Sequence, residues 1–483
     1  MNRPLRHIAV FSLLLVLAVL VRATWVQAAE AGSLDDNPHN PRQAIAAHSR
    51  PFGDILAGGT PLTGSKETGG DLKYQRTYPD GALYAPVTGY SSQTYGSNQL
   101  ESLFHSVLTG QDSRLRTPED TLTGRQPAPG NVITTIDPAV QKAAYEGLGD
   151  KTGAAVALDP ATGAVLALAS TPSYDPGGFA GRGSADQKAW DALQQDERQP
   201  MLNRALRQTY PPGSVFKLVV AAAALENGLY SSVDQATDSP DPYLMPGTTT
   251  YLKNENPSAP CANASIRTAL QYSCNNVFGH MAVQLGQQKI AEQAGKFGFN
   301  NGSLDIPVRA AKSVYPTDMN ASQTALSGIG QYNDQATPLQ MAMVVSALAD
   351  DGKLMTPRMV DKVTDGSSGV LDSYAPKEYG RAVSAGTAEQ LRSAMQTVVE
   401  QGTGSNARVD GLTVGGKTGT AQHGVDNSGT PYAWFVSYAT DSHGKQIAVA
   451  VVIADSDAAR AEVSGNGLAA PVAKAVMKAA LGR

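Results

Sequence analysis

The chain has 483 residues, a net charge of −5 and a hydrophobic fraction of 41%, values that suit a folded protein of more than one domain. Its acidic balance argues against a nucleic-acid partner, since proteins that bind nucleic acids carry basic surfaces. The 7 histidines are scattered and form no metal-binding motif. We therefore predict neither a metal site nor a cofactor.

The first 30 residues carry an apolar segment with basic flanks. Two arginines precede a run from Ile8 to Val21, and Arg22 ends it. The run is shorter than the ~20 residues of a spanning helix, which favours a cleaved signal peptide, and residues 26–28 offer a cleavage site. An uncleaved signal-anchor is the alternative. Both predict that the rest of the chain is exported, because the positive charges stay in the cytoplasm.

Residues 31–130 form a region rich in Gly, Ser, Pro and Tyr. Short pieces such as Leu72–Tyr78 and Ala82–Val87 have the composition of strands, and long helical patterns are few. The pattern predicts a small, mostly β or irregular domain, which contains none of the motifs described below.

Residues 131–483 alternate strand and helix patterns. Asp137 is the predicted N-cap of a helix at Pro138–Leu148, and Gly153–Asp159 with Gly163–Ser170 predicts a β-hairpin. Further predicted strands are Thr413–Thr420, Tyr432–Ala439 and Gln446–Ala454, and further predicted helices are Val215–Asn227, Ile266–Leu285, Leu339–Asp351, Ala388–Gly402 and Ala469–Leu481. This order predicts α+β architecture, with an antiparallel sheet built from both ends of the region and helices inserted between them.

The first motif places Ser214 and Lys217 at a helix start. A Pro-Pro-Gly sequence precedes the serine, and an almost wholly apolar run follows as far as Gly228. The two side chains then share one face of the helix. Burial of this helix would lower the pKa of Lys217 and allow its amine to take the serine proton. We predict Ser214 as the nucleophile and Lys217 as its base.

The second motif is Ser273-Cys274-Asn275. The hydroxyl of Ser273 can relay a proton and the amide of Asn275 can hold a substrate backbone, although Ser and Asn also favour helix caps and turns. Cys274 and Cys261 are the 2 cysteines of the chain. In an exported protein they can pair and close a loop of about 14 residues, worth about 3 kcal/mol. Two buried thiols are the alternative, which a thiol assay on unreduced, denatured protein distinguishes.

The third motif is a predicted edge strand that carries Lys417, Thr418, Gly419 and Thr420. Lys417 offers positive charge to a substrate carboxylate, and Thr418 offers a hydroxyl donor. Glycine in such a strand permits close approach of another backbone. We predict that this strand binds the substrate.

Each motif also has a second copy elsewhere in the chain. These copies are Ser442–Lys445, Ser464–Asn466 and Lys151–Gly153. Gly411–Thr418 also fits a phosphate-loop pattern formally, but glycines and Pro431 follow where a phosphate loop would open a long helix. The order and setting of the three chosen motifs therefore favour serine acyl transfer.

Ser-x-x-Lys, Ser-x-Asn and Lys-Thr-Gly in this order resemble the signature of penicillin-binding proteins and serine β-lactamases. Further stretches that resemble the family are Thr209–Ser214, Thr337–Gln340, Gly416–Gln422 and, more loosely, Tyr84–Gly89. Residues 1–130 are too few for a glycosyltransferase domain, so the chain is identified as a class B penicillin-binding protein of the PbpA type. Cys274 stands where the general pattern has Asp, a position at which the family varies.

The resemblance implies a penicillin-binding transpeptidase fold, in which an antiparallel sheet carries a helical subdomain. It also implies three parts: a signal-anchor at residues 1–30, a pedestal at residues 31–130 and a transpeptidase domain at residues 131–483. Members of this family are typically held in the plasma membrane by one N-terminal helix, with the catalytic domain outside. The resemblance therefore favours the anchor over the cleaved signal.

The implied activity is D,D-transpeptidation of peptidoglycan stem peptides. Ser214 attacks the penultimate D-Ala carbonyl, the terminal D-Ala leaves, and an amine of a second stem peptide takes the acyl group. The backbone N–H groups of Ser214 and Thr420 form the implied oxyanion hole. β-Lactam antibiotics trap the serine, and a membrane glycosyltransferase is the implied partner.

Three alternatives remain open on sequence grounds. A D,D-carboxypeptidase or β-lactamase would use water as acceptor, although the N-terminal region and the length count against it. A catalytically inactive scaffold or β-lactam sensor is disfavoured by three intact motifs. The third alternative is the phosphate-loop enzyme. Labelling with a fluorescent penicillin distinguishes these alternatives, because a β-lactamase would release the label rapidly and a phosphate-loop enzyme would not take it.

Overall fold

The computed structural model describes residues 3–30, 45–70, 72–123, 125–424 and 427–483. The α-helices, labelled α1–α16 in chain order, are Arg3–Trp25, Gly81–Thr88, Gln99–Leu103, His105–Leu108, Pro118–Thr123, Pro138–Leu148, Ser184–Gln195, Arg204–Arg207, Lys217–Glu226, Ile266–Gln271, Asn275–Leu285, Gln287–Lys296, Ala321–Ser327, Pro338–Ala349, Ala385–Gln401 and Ala470–Ala480. The strands, labelled β1–β18, are Ile55–Ala57, Thr60–Pro61, Gly64–Glu67, Tyr74–Thr77, Ser91–Ser92, Gly96–Ser97, Asn131–Thr134, Thr152–Leu158, Val165–Thr171, Tyr243–Leu244, Tyr251–Leu252, Lys353–Met355, Val360–Thr364, Val370–Ser373, Glu378–Arg381, Thr413–Ala421, Tyr432–Thr440 and Gln446–Asp455.

The main sheet is antiparallel, with the strand order β16-β17-β18-β8-β9. Its central pairing joins the two ends of the region, since Val451 lies opposite Ala155. Both faces are buried, because alternate residues of these strands belong to two separate hydrophobic clusters. Helices α6 and α16 cover one face and α14 covers the other. The continuous apolar runs of the sequence reflect this burial on two sides, and the predicted α+β architecture is confirmed.

Helices α9–α15 form the helical part beside this sheet. Helix α9 lies at its centre, and every residue from Lys217 to Ala224 is buried. Helix α14, predicted at Leu339–Asp351, spans Pro338–Ala349 and is buried along its whole length. Polar side chains on such helices lose contact with solvent, so their ionisation depends on their neighbours.

The predicted helix at Ile266–Leu285 is wrong as a single element. It is divided into α10 and α11, which are separated by Ser273 at a φ of +59°. This left-handed backbone conformation interrupts the helical hydrogen bonds. The break falls on the second motif, so the polar side chains lie in the connection between two helices.

The region before residue 131 contains helices α2–α5 beside short strands, so it is less β-rich than predicted. The piece at Ala82–Val87, predicted as a strand, belongs to helix α2, whose residues pack into the core. A second sheet has the order β14-β13-β7-β1-β2, in which β1 runs parallel to β7. This sheet joins the N-terminal region to strands that begin at residue 131 or later.

Helix α1 and the turn after it form a segment, Arg3–Glu30, which has no buried residue and whose most apolar 18-residue stretch has a mean hydropathy of 2.3. It is longer than the apolar run seen in the sequence, because the helix includes the flanking arginines. Among the described residues it is the one helix long and apolar enough to cross a membrane. A signal sequence has the same properties, so the choice between anchor and signal peptide stays open.

Candidate active site

The nucleophile candidate lies where a tight turn enters a buried helix. Gly213–Phe216 forms one turn of 3-10 helix that continues into α9, so the chain is helical from the serine onwards, as predicted. Gly213 has a φ of +55°, which glycine tolerates, and its N–H donates to Gly330 O at 2.9 Å. Ser214 is 6% exposed. The turn therefore holds the serine at the base of an open cleft.

Lys217 lies beneath this turn and is fully buried. Its Nζ donates to Ser273 O at 2.7 Å, to Asn275 Oδ1 at 2.7 Å and to Ser273 Oγ at 3.2 Å. Among the described residues, the hydrogen bonds of this amine thus go to the second motif rather than to Ser214. Bonds between a base and its nucleophile are often long before substrate binds.

The second motif is fixed from both sides. A disulfide joins Cys274 to Cys261. Asn275 opens helix α11, its N–H donates to Asn254 Oδ1 at 2.6 Å, and its Nδ2 donates to Lys253 O at 2.8 Å. These bonds hold the amide oxygen of Asn275 towards the lysine amine.

Lys417 reaches the same hydroxyl from the edge strand β16. Its Nζ donates to Ser273 Oγ at 3.0 Å and to Thr418 O at 2.9 Å. The hydroxyls of Thr418 and Thr403 share a hydrogen bond of 2.8 Å. A Cβ at Gly419 would lie 3.2 Å from Pro212 O, so glycine permits the close approach of β16 to the nucleophile turn.

Burial changes the ionisation of both lysines. The pKa of Lys217 is well below its ordinary value because burial penalises its charge and because Lys417 lies close by. Burial also lowers the pKa of Lys417, to about 7. The charge of Glu255 acts in the opposite direction on both amines.

A neutral Lys217 fits its surroundings. An uncharged amine has two N–H groups and one lone pair, and the two acceptors at 2.7 Å, Ser273 O and Asn275 Oδ1, match the two N–H groups. The lone pair can then accept a hydroxyl proton. The Ser273 hydroxyl contacts both Lys217 Nζ, at 3.2 Å, and Lys417 Nζ, at 3.0 Å, so it can pass a proton along a short chain between them.

The cleft above these groups has a volume of about 630 Å³. Its lining residues are Pro211, Ser214, Glu255, Asn275, Leu326, Ile329, Gln331, Tyr332, Thr420, Gln422, His423, Gly424 and Asn427. No group of metal-ligating side chains occurs in the part of the chain that the structure describes. The site therefore consists of a serine, two buried amines, a bridging hydroxyl and an edge strand.

The family model for the penicillin binding protein transpeptidase domain matches residues 153–478. This chain belongs to that family. A second model, for the dimerisation domain of penicillin binding protein A, matches residues 52–132. The transpeptidase fold predicted from the three motifs is thereby confirmed for this family member.

Similar proteins extend over the full chain. The chain is 38% identical to peptidoglycan D,D-transpeptidase PbpA of Mycolicibacterium smegmatis, across 100% of this chain and 99% of the relative. PbpA of Mycobacterium tuberculosis is 36% identical, again across 100% and 99%. A solved structure of penicillin-binding protein A from M. tuberculosis, a ceftriaxone acyl-enzyme complex, has a TM-score of 0.84 and 35% identity, and covers 90% of this chain and 100% of its own.

The second copy of each of the three motifs lies away from this transpeptidase site. Ser442–Lys445 forms the exposed turn between β17 and β18, and Lys151 Nζ donates to a helix end at Leu148 O. Ser464 caps the next turn, and Asn466 pairs with Asn406. These copies have structural contacts, which supports the choice of motifs.

Sequence reasoning missed several residues of this penicillin-binding cleft. Tyr332 lines the cleft at a φ of +72°, unusual for a bulky side chain, and is 37% exposed. Glu255 and His423 also line it. None belongs to a short motif. For His423 there was one signal, its position a few residues after the Lys-Thr-Gly strand.

Proposed function

We propose that this chain is a peptidoglycan D,D-transpeptidase that forms an acyl-enzyme on Ser214 and is inhibited covalently by β-lactams. The observation that carries the proposal is the contact of one hydroxyl, Ser273 Oγ, with the amines of both Lys217 and Lys417 beside Ser214. Full-length similarity to proteins named D,D-transpeptidase supports it.

In the acylation step, Ser214 Oγ forms a bond to the carbonyl carbon and gives its proton to neutral Lys217. The C–N bond to the terminal D-Ala breaks, and its nitrogen takes a proton through Ser273. Backbone N–H groups of Ser214 and Thr420 stabilise the oxyanion; removal of one such donor typically costs about 10²–10³ in rate.

The edge strand binds the donor peptide. Lys417, in its charged form, attracts the carboxylate of the substrate together with the Thr418 hydroxyl, and Asn275 holds the peptide backbone. The opening left by Gly419 keeps the strand close to the nucleophile turn. In this scheme Lys217 is neutral and Lys417 is charged, which agrees with the lowering of the Lys217 pKa by the nearby charge of Lys417.

The proposed location rests on the N-terminal helix. We propose that residues 1–30 anchor the protein in the plasma membrane, that residues 31–130 form the pedestal and that residues 131–483 act outside the membrane. Basic residues before the apolar run support this orientation. A membrane glycosyltransferase would supply the glycan strands, since no part of this scheme polymerises them.

Labelling with a fluorescent penicillin tests the acyl-enzyme. We expect the wild-type protein to take a stable covalent label and Ser214→Ala to take none, because the variant lacks the attacking oxygen. Ser442→Ala is the matched control, since Ser442 belongs to the exposed copy of the motif and should keep full labelling. An unlabelled, well-folded wild type contradicts the proposal, and rapid loss of the label supports a β-lactamase instead.

A further inference from the structure

Charge is distributed unequally in the cleft. Two amines, Lys217 and Lys417, lie at its base and are fully buried. Among the described lining residues there is one carboxylate, Glu255, which is exposed and shares the cleft with Ser214 and Asn275. Its charge acts on both buried amines and offsets part of the fall in pKa that burial causes in each. The cleft therefore has a cationic base and an anionic wall.

The position of Glu255 is fixed by its two predecessors. Lys253 O accepts from Asn275 Nδ2 at 2.8 Å, and Asn254 Oδ1 accepts from the N–H groups of Asn275 at 2.6 Å and Asn276 at 3.3 Å. Asn254 Nδ2 in turn donates to Asp241 Oδ2 at 3.0 Å. The backbone that carries Glu255 is thus tied to the second motif, although the side chain itself reaches solvent.

We propose that Glu255 is a specificity residue that binds the ammonium group of the acceptor in the second half of the reaction. This inference rests on the proposed transpeptidase function. The two substrates differ in charge where they meet the cleft: the donor ends in a carboxylate, and the acceptor brings a primary amine that is protonated in water. Charged Lys417 suits the first, and an exposed carboxylate on the wall suits the second.

The chemistry balances without any further reactant. The bound ammonium loses one proton to solvent and becomes a neutral amine. Its nitrogen then bonds to the acyl carbon, the bond from that carbon to Ser214 Oγ breaks, and the oxygen takes the second proton of the amine. Water competes for the same acyl group, so a residue that concentrates the amine raises transfer relative to hydrolysis.

The test measures how one acyl-enzyme divides between two acceptors. The full chain is acylated with a thioester of an N-acyl-D-alanine, and the aminolysis and hydrolysis products are counted at increasing glycinamide concentration. This ratio is independent of the acylation rate, so any effect of Glu255 on acylation through the lysines cancels. Methanol serves as an uncharged acceptor, and Glu292→Gln removes an exposed carboxylate outside the cleft.

We expect Glu255→Gln to raise the half-saturating glycinamide concentration about three- to fivefold, as for an exposed ion pair, and Glu255→Lys to raise it further through repulsion. Methanolysis and Glu292→Gln should match the wild type. High salt should reduce the difference between wild type and Glu255→Gln, because exposed charges are screened.

Two results overturn the inference alone. One is a half-saturating glycinamide concentration that is the same in Glu255→Gln and the wild type. The other is a loss of transfer to methanol as large as the loss of transfer to glycinamide, which would indicate a structural role. Failure of the wild type to form any acyl-enzyme is a different result. It contradicts the proposed function and the inference together.

Discussion

Two groups of buried cations in this molecule are built in opposite ways. In the N-terminal region the guanidinium of Arg76 is fully buried and its Nε lies 2.6 Å from Oε1 of Glu101, itself 1% exposed. In the active site Lys217 and Lys417 are equally buried, but among the described residues neither has a carboxylate in hydrogen-bond contact. Their shared partner is the neutral hydroxyl of Ser273.

The difference explains why one cluster is structural and the other can react. Burial lowers the pKa of Arg76, but the charge and hydrogen bond of Glu101, together with Tyr78 and Asp54, more than compensate, so the guanidinium stays charged. Burial of the two lysines is not compensated in this way, and their pKa values fall. An amine whose pKa lies nearer neutrality can accept and return a proton, whereas a paired arginine cannot.

The largest expected effect comes from removal of the base. Lys217→Met should lower the rate of Ser214 acylation by penicillin about 10²–10⁴-fold, the usual contribution of a positioned general base. The melting temperature should not fall, because methionine fills similar space without a buried amine. An acylation rate within tenfold of the wild type would show that the serine is activated by another group.

The structural pair should respond in stability rather than in chemistry. Arg76→Met leaves Glu101 buried without its partner, and we expect a loss of about 3–5 kcal/mol in unfolding free energy, measured by urea denaturation.

The double variant Arg76→Met/Glu101→Leu is the control and should recover most of that loss, since no charge remains buried. Acylation per folded molecule should stay at the wild-type rate in both. A single variant as stable as the wild type would contradict the comparison of the two clusters.

The smallest effect concerns Lys417 and depends on pH. Its pKa is about 7 in the folded protein and 10.5 in its ordinary state, so the unfolded chain binds more protons between these values. Wild-type stability therefore rises with pH across this window. Lys417→Met removes a burial cost of about 5 kcal/mol at pH 6 and loses two hydrogen bonds of about 1 kcal/mol each. It should therefore be more stable than the wild type at pH 6 by on the order of 3 kcal/mol, and the gain should fade towards pH 10.

Thermal melts at pH 6, 8 and 10 measure this difference. Penicillin acylation should fall in the same variant, because the substrate carboxylate loses its cation. A variant that is less stable than the wild type at pH 6 would mean that the hydrogen bonds of Lys417 outweigh the cost of its burial.

Features that depend on near neighbours in the chain were predictable. Asp137 caps its helix as expected, with its carboxylate accepting from the N–H groups of Ala139 and Val140. The strands of the main sheet and the helix that follows Ser214 also match their patterns. Capping, turns and apolar periodicity act over a few residues, so one sequence displays them.

Features that depend on tertiary packing were not predictable from the sequence. Helix α2 was mistaken for a strand, because burial in the core outweighed the apparent strand composition of residues 82–87. The left-handed backbone conformation of Ser273 could not be predicted from the sequence, since serine has no preference for it. Glu255 could not be predicted from the sequence, because what marks it is its place in the cleft beside Ser214 and Asn275 and not a motif.

The sequence by itself determined the order of the three motifs, the type of element that carries each and the family to which they point. Only the tertiary structure brought Lys417 Nζ to Ser273 Oγ across 144 residues of chain. It also lowered the pKa of both lysines, because this shift depends on burial by helices and strands far away in sequence. Local sequence patterns identify the reacting groups, and long-range packing sets their contacts and their pKa values.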